Sequence, residues 1–354
     1  MERPSPGQSW PQPEKPPREQ AVNRVLVSRA AGLSEQEVKD VLHERKFENR
    51  VEHEGEIEKS EAERMVLASV LGKLPQFIRR YGGDPLKIDE GQVHFVNVND
   101  LPDEASEEYA ECGGDYDANG QNIRIYFKGA GEMARLQLAR RVAHEGFHFN
   151  SFQSARLLVE GPAVEDGEPE YRISPRRVGL VAYSADEESE AGRWLNEAMT
   201  EKLVKTFVET ALREDETFRD EFALRKDLQP EMPPETEADD IANIDLLGVD
   251  DESGEVEASY THYSYRDERH LLDRVLDGVA SDNPGIADRE AAFDVFARAY
   301  FSGNLLEVAR LVEGTYGKGS FRLMVEGEDV TAAQHSDVVP RSREDAQAPQ
   351  EKVA

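Results

Sequence analysis

RVAHEGFHFN, residues 141–150, places His144 and His148 four residues apart, with Glu145 directly after the first histidine. On a helix, side chains at i and i+4 share one face about one turn apart. That is the separation two imidazoles need to chelate one tetrahedral ion. Glu145 cannot ligate the same ion, but it stands where it can take a proton from a metal-bound water. The plainer reading is a helix that happens to carry two half-buried histidines. The choice turns on whether the chain supplies a third ligand.

GRWLNEAMTEKL, residues 192–203, supplies a candidate. Helical periodicity runs from about 192 to 213, with Leu195, Met199, Leu203, Phe207 and Val208 on the buried side. Glu197 and Glu201 repeat the i, i+4 spacing, offering a ligand and a carboxylate to accept the free N–H of a ligating histidine. Asn196 could add another bond behind the ligands. Against this stands the reading of a solvated acidic helix face, common in so acidic a chain.

The 354 residues suffice for a large core, and 73 acidic against 42 basic residues give a net charge of −31. That charge repels nucleic acid and anionic membranes. Cys112 is the only cysteine, which excludes a disulfide framework and a cysteine-based zinc cluster, and no surrounding signature marks it as a latent zinc ligand. The proline-rich N-terminus resembles neither a signal nor an anchor, and no apolar run is long enough to span a membrane. The expected compartment is cytoplasmic by default.

Around the two motifs, the pattern predicts a disordered tail over 1–22 and a helical, charged connector over 23–59. The connector includes a capping box at Ser34 and Glu37. The main domain spans 60–326, and a second polar tail covers 327–354. A helix is predicted over 60–81, kinked or ended by Pro75, and strands over 92–100 and 122–128. Between the strands lies a polar loop ending in Asn119-Gly120, whose DYDANGQNI begins like a calcium loop. Tyr126 replaces the bidentate glutamate such a loop needs, so a plain turn is preferred. The motif helix covers 131–149, with Gly146 either a close approach or simple tolerance. Residues 151–190 form an extended pair broken at Pro175-Arg176, where Arg176 and Arg177 balance nearby acids.

Residues 231–257 hold eleven acids and no base; they predict a mobile loop, with an inhibitory lid as the sharper alternative. Helices resume over 266–280, 288–302 and 305–314. Phe293, Phe296, Ala297 and Tyr300 make one stripe, Gly303 a C-terminus, and Asn304 with Glu307 a capping box.

H-E-x-x-H followed by N-E-x-x-T-E on a later helix resembles the gluzincin metallopeptidases, the thermolysin-like group of zincins. The resemblance covers most of residues 60–320 in element order and is specific at the two helices. It implies His144, His148 and Glu197 as zinc ligands, Glu145 as general base, and Glu201 orienting a zinc histidine. It further implies that a peptide substrate lies against the strand at 122–128. The spacer from His148 to Glu197 is longer than in the thermolysin type, and the histidine that group uses for the oxyanion has no fixed counterpart. Candidates are Tyr260, His262, Tyr263, Tyr265 and His270; by analogy with aminopeptidase-like gluzincins, Tyr265 and then Tyr263 are favoured. The expected fold is α+β, zincin-like: a small twisted, mostly antiparallel sheet on the motif helix, then a mainly helical C-terminal subdomain. The expected function is zinc-dependent peptide hydrolysis. The competing expectation is an inactive zinc-binding scaffold, against which the intact Glu145 argues.

Overall fold

The motif helix is almost wholly interior, and the rest of the fold follows from what covers it. Leu136, Leu138, Ala139, Val142, Ala143, Phe147 and Phe149 are all buried, so its apolar residues leave only a narrow face to the cleft. The computed structural model describes residues 26–28, 55–102, 106, 109, 112–118, 121–128, 133–160, 170–184, 189–228, 240–249 and 256–326. The tails at 1–22 and 327–354, the capping box at Ser34 and Glu37, and Asn119-Gly120 lie outside these residues.

Strands β1 (Leu26–Ser28) and β2 (Glu56–Ile57) precede helix α1 (Glu61–Arg80). Next come β3 (Val93–Asn97), β4 (Gly114–Asp117), β5 (Asn122–Phe127) and the motif helix α2 (Arg135–Asn150). After it run β6 (Gln153–Glu160), β7 (Glu170–Val178), β8 (Val181–Tyr183) and β9 (Glu190–Ala191). Helix α3 (Arg193–Phe207) then continues into one π-helical turn, followed by α4 (Arg219–Leu228) and strands β10 (Ile241–Val249) and β11 (Val256–His262). Four helices end the described chain: α5 (Arg266–Asp282), α6 (Arg289–Ser302), α7 (Leu305–Tyr316) and α8 (Ser320–Glu326).

This is a mixed α+β fold, with three small sheets among the described residues instead of the single one expected. One has the order β2-β3-β5-β4, another β1-β6-β7-β8-β9, and the third is the β10-β11 pair. The β3–β5 and β1–β6 pairings are parallel and the rest antiparallel. The long excursion between β3 and β5 permits the parallel pairing, and it contains β4.

Three rings fix the helices that matter. Phe77 of α1, Phe147 of α2 and Phe207 of α3 meet pairwise at centroid distances of 5.6, 5.2 and 6.0 Å. Aromatic contacts of this kind add about 0.5–1.5 kcal/mol each beyond their area burial, and here they lock the rotation of α3 against α2. Gly146 lies where α1 crosses α2: a Cβ there would sit 2.8 Å from the Leu74 side chain. The close approach is structural, helix on helix.

Several expectations change. Helix α1 runs through Pro75 to Arg80, held by buried Leu74, Phe77 and Ile78 on either side of it. Pro175-Arg176 does not break a hairpin. It lies inside β7, where the register against β6 slips at Ser154 and Ala155, and at such a bulge a missing N–H costs no ladder bond. The turn falls at Gly179, with φ of +55°. Residues 241–249 and 256–257 belong to β10 and β11 instead of a loop, with Ile241, Ala242 and Ile244 buried. The stretch from Asp115 read as a plain turn begins with most of β4, pinned by the forked pair of Asp115 with Arg124. Asn304 stands at the start of α7 but makes no side-chain capping bond, whereas Gly303 ends α6 in the left-handed region as expected. No helix among the described residues is long and apolar enough to cross a membrane.

Candidate metal centre

The i, i+4 pairs of α2 and α3 face each other. His144 Nε2 and His148 Nε2 are 3.1 Å apart, and each lies 3.3 Å from Glu197 Oε2. Four ligands about 2.0–2.1 Å from a tetrahedral ion stand roughly 3.3 Å from one another, so three donor atoms in this triangle fit one small cation. These three residues are the group of metal-capable side chains found among the described residues.

The outer nitrogens of both imidazoles are engaged, which decides where their lone pairs point. His144 Nδ1 donates to Glu201 Oε2 at 3.0 Å. The other Glu201 oxygen accepts from Arg140 Nη2 at 3.0 Å and from the Ser264 backbone N–H at 2.8 Å. Burial alone would raise the Glu201 carboxyl, but the bond from His144 and the charge of Arg140 outweigh it and hold it at about 2. Glu201 is only 2% exposed and stays ionised, fixing the tautomer of His144 with its Nε2 lone pair toward the triangle.

For His148 the partner is one that periodicity did not single out. Thr200 Oγ1 donates to the Asn196 carbonyl at 2.8 Å, so its single proton is committed. The Tyr300 hydroxyl, 3.0 Å away, must then donate to Thr200 and can accept the Nδ1–H of His148 at 3.4 Å. The result is a directed chain from His148 through Tyr300 and Thr200 to the α3 backbone. Tyr300→Phe is expected to leave that N–H without its acceptor and weaken zinc binding about 10–100-fold, measured by competition with a chromophoric chelator.

Asn196 sits beside this chain. Its Nδ2 lies 3.4 Å from Glu197 Oε1 and 3.5 Å from His148 Nδ1, while Oδ1 accepts the Leu180 N–H at 2.9 Å. The β7–β8 turn therefore holds Asn196 in place. A Cβ on Gly179 would lie 2.3 Å from Asn196 Oδ1, on a backbone already left-handed. Gly179→Ala is expected to lower unfolding stability by about 1–3 kcal/mol in urea, the range for a forced left-handed residue.

Glu145 is 6% exposed and packs against the edge strand: a Cβ on Gly114 of β4 would meet Glu145 Cγ at 3.2 Å. Burial pushes its carboxyl up, against the opposing pull of His144 and His148. The strand alongside is β4. β5 lies inside the sheet between β3 and β4, so the expected edge role of residues 122–128 passes to Gly114–Asp117.

Of the downstream aromatic and histidine candidates, the structure brings Tyr265 alone to the cleft. Its ring lies nearly parallel to that of His144, 6.1 Å between centroids, and is 40% exposed. Its φ is +53°, a strained setting for a tyrosine. Burial and the carboxylates of Glu197, Glu145 and Glu201 raise its hydroxyl well above the usual range, so it remains a donor. Tyr263 points elsewhere: it is buried, stacked under Arg140, and its hydroxyl donates to Glu209 at 3.1 Å. The left-handed backbone at Tyr265 breaks the alternation that would put it on the side of Tyr263, leaving one tyrosine in the core and the other at the cleft. Tyr260, His262 and His270 do not line the cleft. Cys112 is exposed at its margin and is not one of the clustered donors.

The segment carrying Ser264 and Tyr265 is itself anchored. Arg269 donates to the Tyr263 and Ser264 carbonyls at 3.0 and 2.8 Å. It is in turn held by the buried Asp240 through bonds of 2.7 and 2.8 Å.

The donor triangle opens on a cleft of about 770 Å³, walled by β4 on one side and by the β7–β8 turn and the start of α3 on the other. Clefts of roughly 300–1,000 Å³ are the usual size for ligand sites. No protein-family description, no curated protein and no solved structure matches the chain.

Proposed function

We propose that this chain is a zinc-dependent peptidase with a zincin-like arrangement of its two ligand helices and edge strand. The observation that carries this reading is the combination of a complete three-donor triangle with Glu145 buried beside it and against β4, the outer strand of its sheet. A purely structural zinc site gives no reason to bury an extra carboxylate there.

Zinc held by His144, His148 and Glu197 would supply Lewis-acid polarisation of a carbonyl and bring the pKa of a coordinated water near 7. The chain's own residues do the rest. The outer edge of β4 receives the substrate backbone in extended form. Glu145 takes a proton from the attacking water as its oxygen bonds to the peptide carbon. Glu145 then delivers that proton to the nitrogen as the C–N bond breaks. Tyr265 donates a hydrogen bond to the developing oxyanion, the role for which its cleft position and protonated hydroxyl suit it.

Purified full chain loaded with zinc is expected to carry one zinc per chain and to hydrolyse casein or a peptide library. Hydrolysis should stop with a chelator and return with added zinc. Stoichiometric zinc with no metal-dependent hydrolysis would favour the inactive-scaffold reading instead.

A further inference from the structure

Along α2, one turn before His144, the cleft continues into a second hollow of about 440 Å³. The two hollows share Gly114, His144, Glu145 and Tyr265. A chain lying extended on β4 would pass from one to the other across the donor triangle. Their charges differ. The main cleft is rich in acids: Asp115, Glu190, Glu197 and Glu268 line it, and its one arginine, Arg193, pairs with Glu190. The second hollow sets Arg140 and Arg141 against only two carboxylates, Glu145 and Glu201, and Glu201 is already paired with Arg140.

Arginines that line the two hollows, or that hold an acid lining them, are paired with carboxylates, with the exception of Arg141. Arg124 holds Asp115, Arg140 holds Glu201, and Arg193 holds Glu190. Arg141 makes no ion pair among the described residues. It donates one N–H to the Tyr126 carbonyl at 2.5 Å, and its stem lies against Gly113, which has no side chain to displace it. A guanidinium has five N–H donors, so most of its capacity is unused. Burial and the neighbouring Arg140 both act against its charge. In a chain with 73 acids to 42 bases, a half-buried cation without an acid partner beside the donor triangle is a conspicuous omission. A planar guanidinium of this kind is suited to bidentate capture of a carboxylate.

We infer that the hollow beside Arg141 is a substrate-carboxylate subsite, so that preferred peptides carry an acid group on that side of the scissile bond. The acid is either the C-terminal α-carboxylate or an Asp or Glu side chain, two sources with one chemistry. This deepens the peptidase reading and rests on it.

The test uses zinc-loaded full chain and N-acetyl peptides in three forms: a free C-terminal acid, the same peptide amidated, and amides with one Asp walked through each position. At least one acid-bearing form is expected to show KM about tenfold below that of the plain amide, the scale of a charged hydrogen bond. A preference for the C-terminal acid identifies the α-carboxylate; a preference for Asp at one position identifies the side chain. Arg141→Met should collapse the acid-to-amide ratio toward one, and Arg141→Lys should keep part of it. Binding of the same peptides to zinc-loaded Glu145→Gln, read by calorimetry, should show the same acid preference without turnover. Equal KM and equal Kd for acid and amide overturn the subsite, as does a ratio untouched by Arg141→Met. Acid-selective binding with no hydrolysis by the wild type keeps the subsite and sinks the peptidase reading, so the two failures are distinguishable.

Discussion

Glu145→Gln is expected to keep one zinc per chain while kcat/KM on any cleaved peptide falls by about 10²–10⁴-fold, the usual contribution of a positioned general base. The substitution is nearly isosteric, and Glu145 is not a corner of the donor triangle, so metal affinity should change little. Its side chain is held between α2 and the Gly114 backbone, where a glutamine fits the same space. A buried carboxylate beside two histidines costs desolvation, and replacing it with a neutral amide should leave stability equal or slightly higher. The expected signature is thus lost turnover, retained zinc and unreduced unfolding stability. Zinc content is read by atomic absorption and stability by urea unfolding in the same preparation. Undiminished hydrolysis would remove Glu145 from the mechanism.

The residues that meet at the site were legible wherever their chemistry repeats at helical spacing. His144 and His148, and Glu197 and Glu201, are two such pairs, and the structure sets them face to face. Arg140 extends the first pair by one more turn, at i−4 from His144, and that spacing was available to be read. Tyr300 was visible only as part of an apolar stripe. Its hydroxyl reaches Thr200 across 100 residues of sequence, and no local pattern records such a contact. The edge strand β4 was hidden because Gly114, Asp115 and Asp117 are poor strand formers, held extended by Arg124 from the neighbouring strand. Net acidity misled in the same way over β10, where buried Ile241 and Ile244 outweigh the flanking carboxylates. Of the two tyrosines before α5, only the backbone turn at Tyr265 decides which faces the cleft, and composition carries no trace of that turn.

Glu197→Ala is expected to strip the metal, with a loss of affinity well beyond the about 10–100-fold that follows when a partner behind a ligand is removed. Its Oε2 is the one corner of the triangle that comes from α3, and it is the only anionic donor of the three. Without it, the two imidazoles of α2 remain, a neutral bidentate pair with no charge to offset a dication. Glu201, one turn further along α3, cannot substitute, because both its oxygens are occupied by His144, Arg140 and Ser264. The rings of Phe77, Phe147 and Phe207 hold α3 at one rotation, so the helix cannot turn to bring another carboxylate forward. A second readout follows from linkage. At free zinc 1,000 times its Kd, binding would add about 4 kcal/mol to the stability of the wild type. For a domain of this size that raises Tm by several degrees. The variant should show almost none of that rise, while its Tm in chelator stays near the wild-type value measured the same way. Glu197→Gln, which keeps an oxygen at the same corner without the charge, should fall between the two. Unchanged zinc content in Glu197→Ala would mean that α3 supplies no ligand, and the convergence of α2 and α3 would then need another explanation.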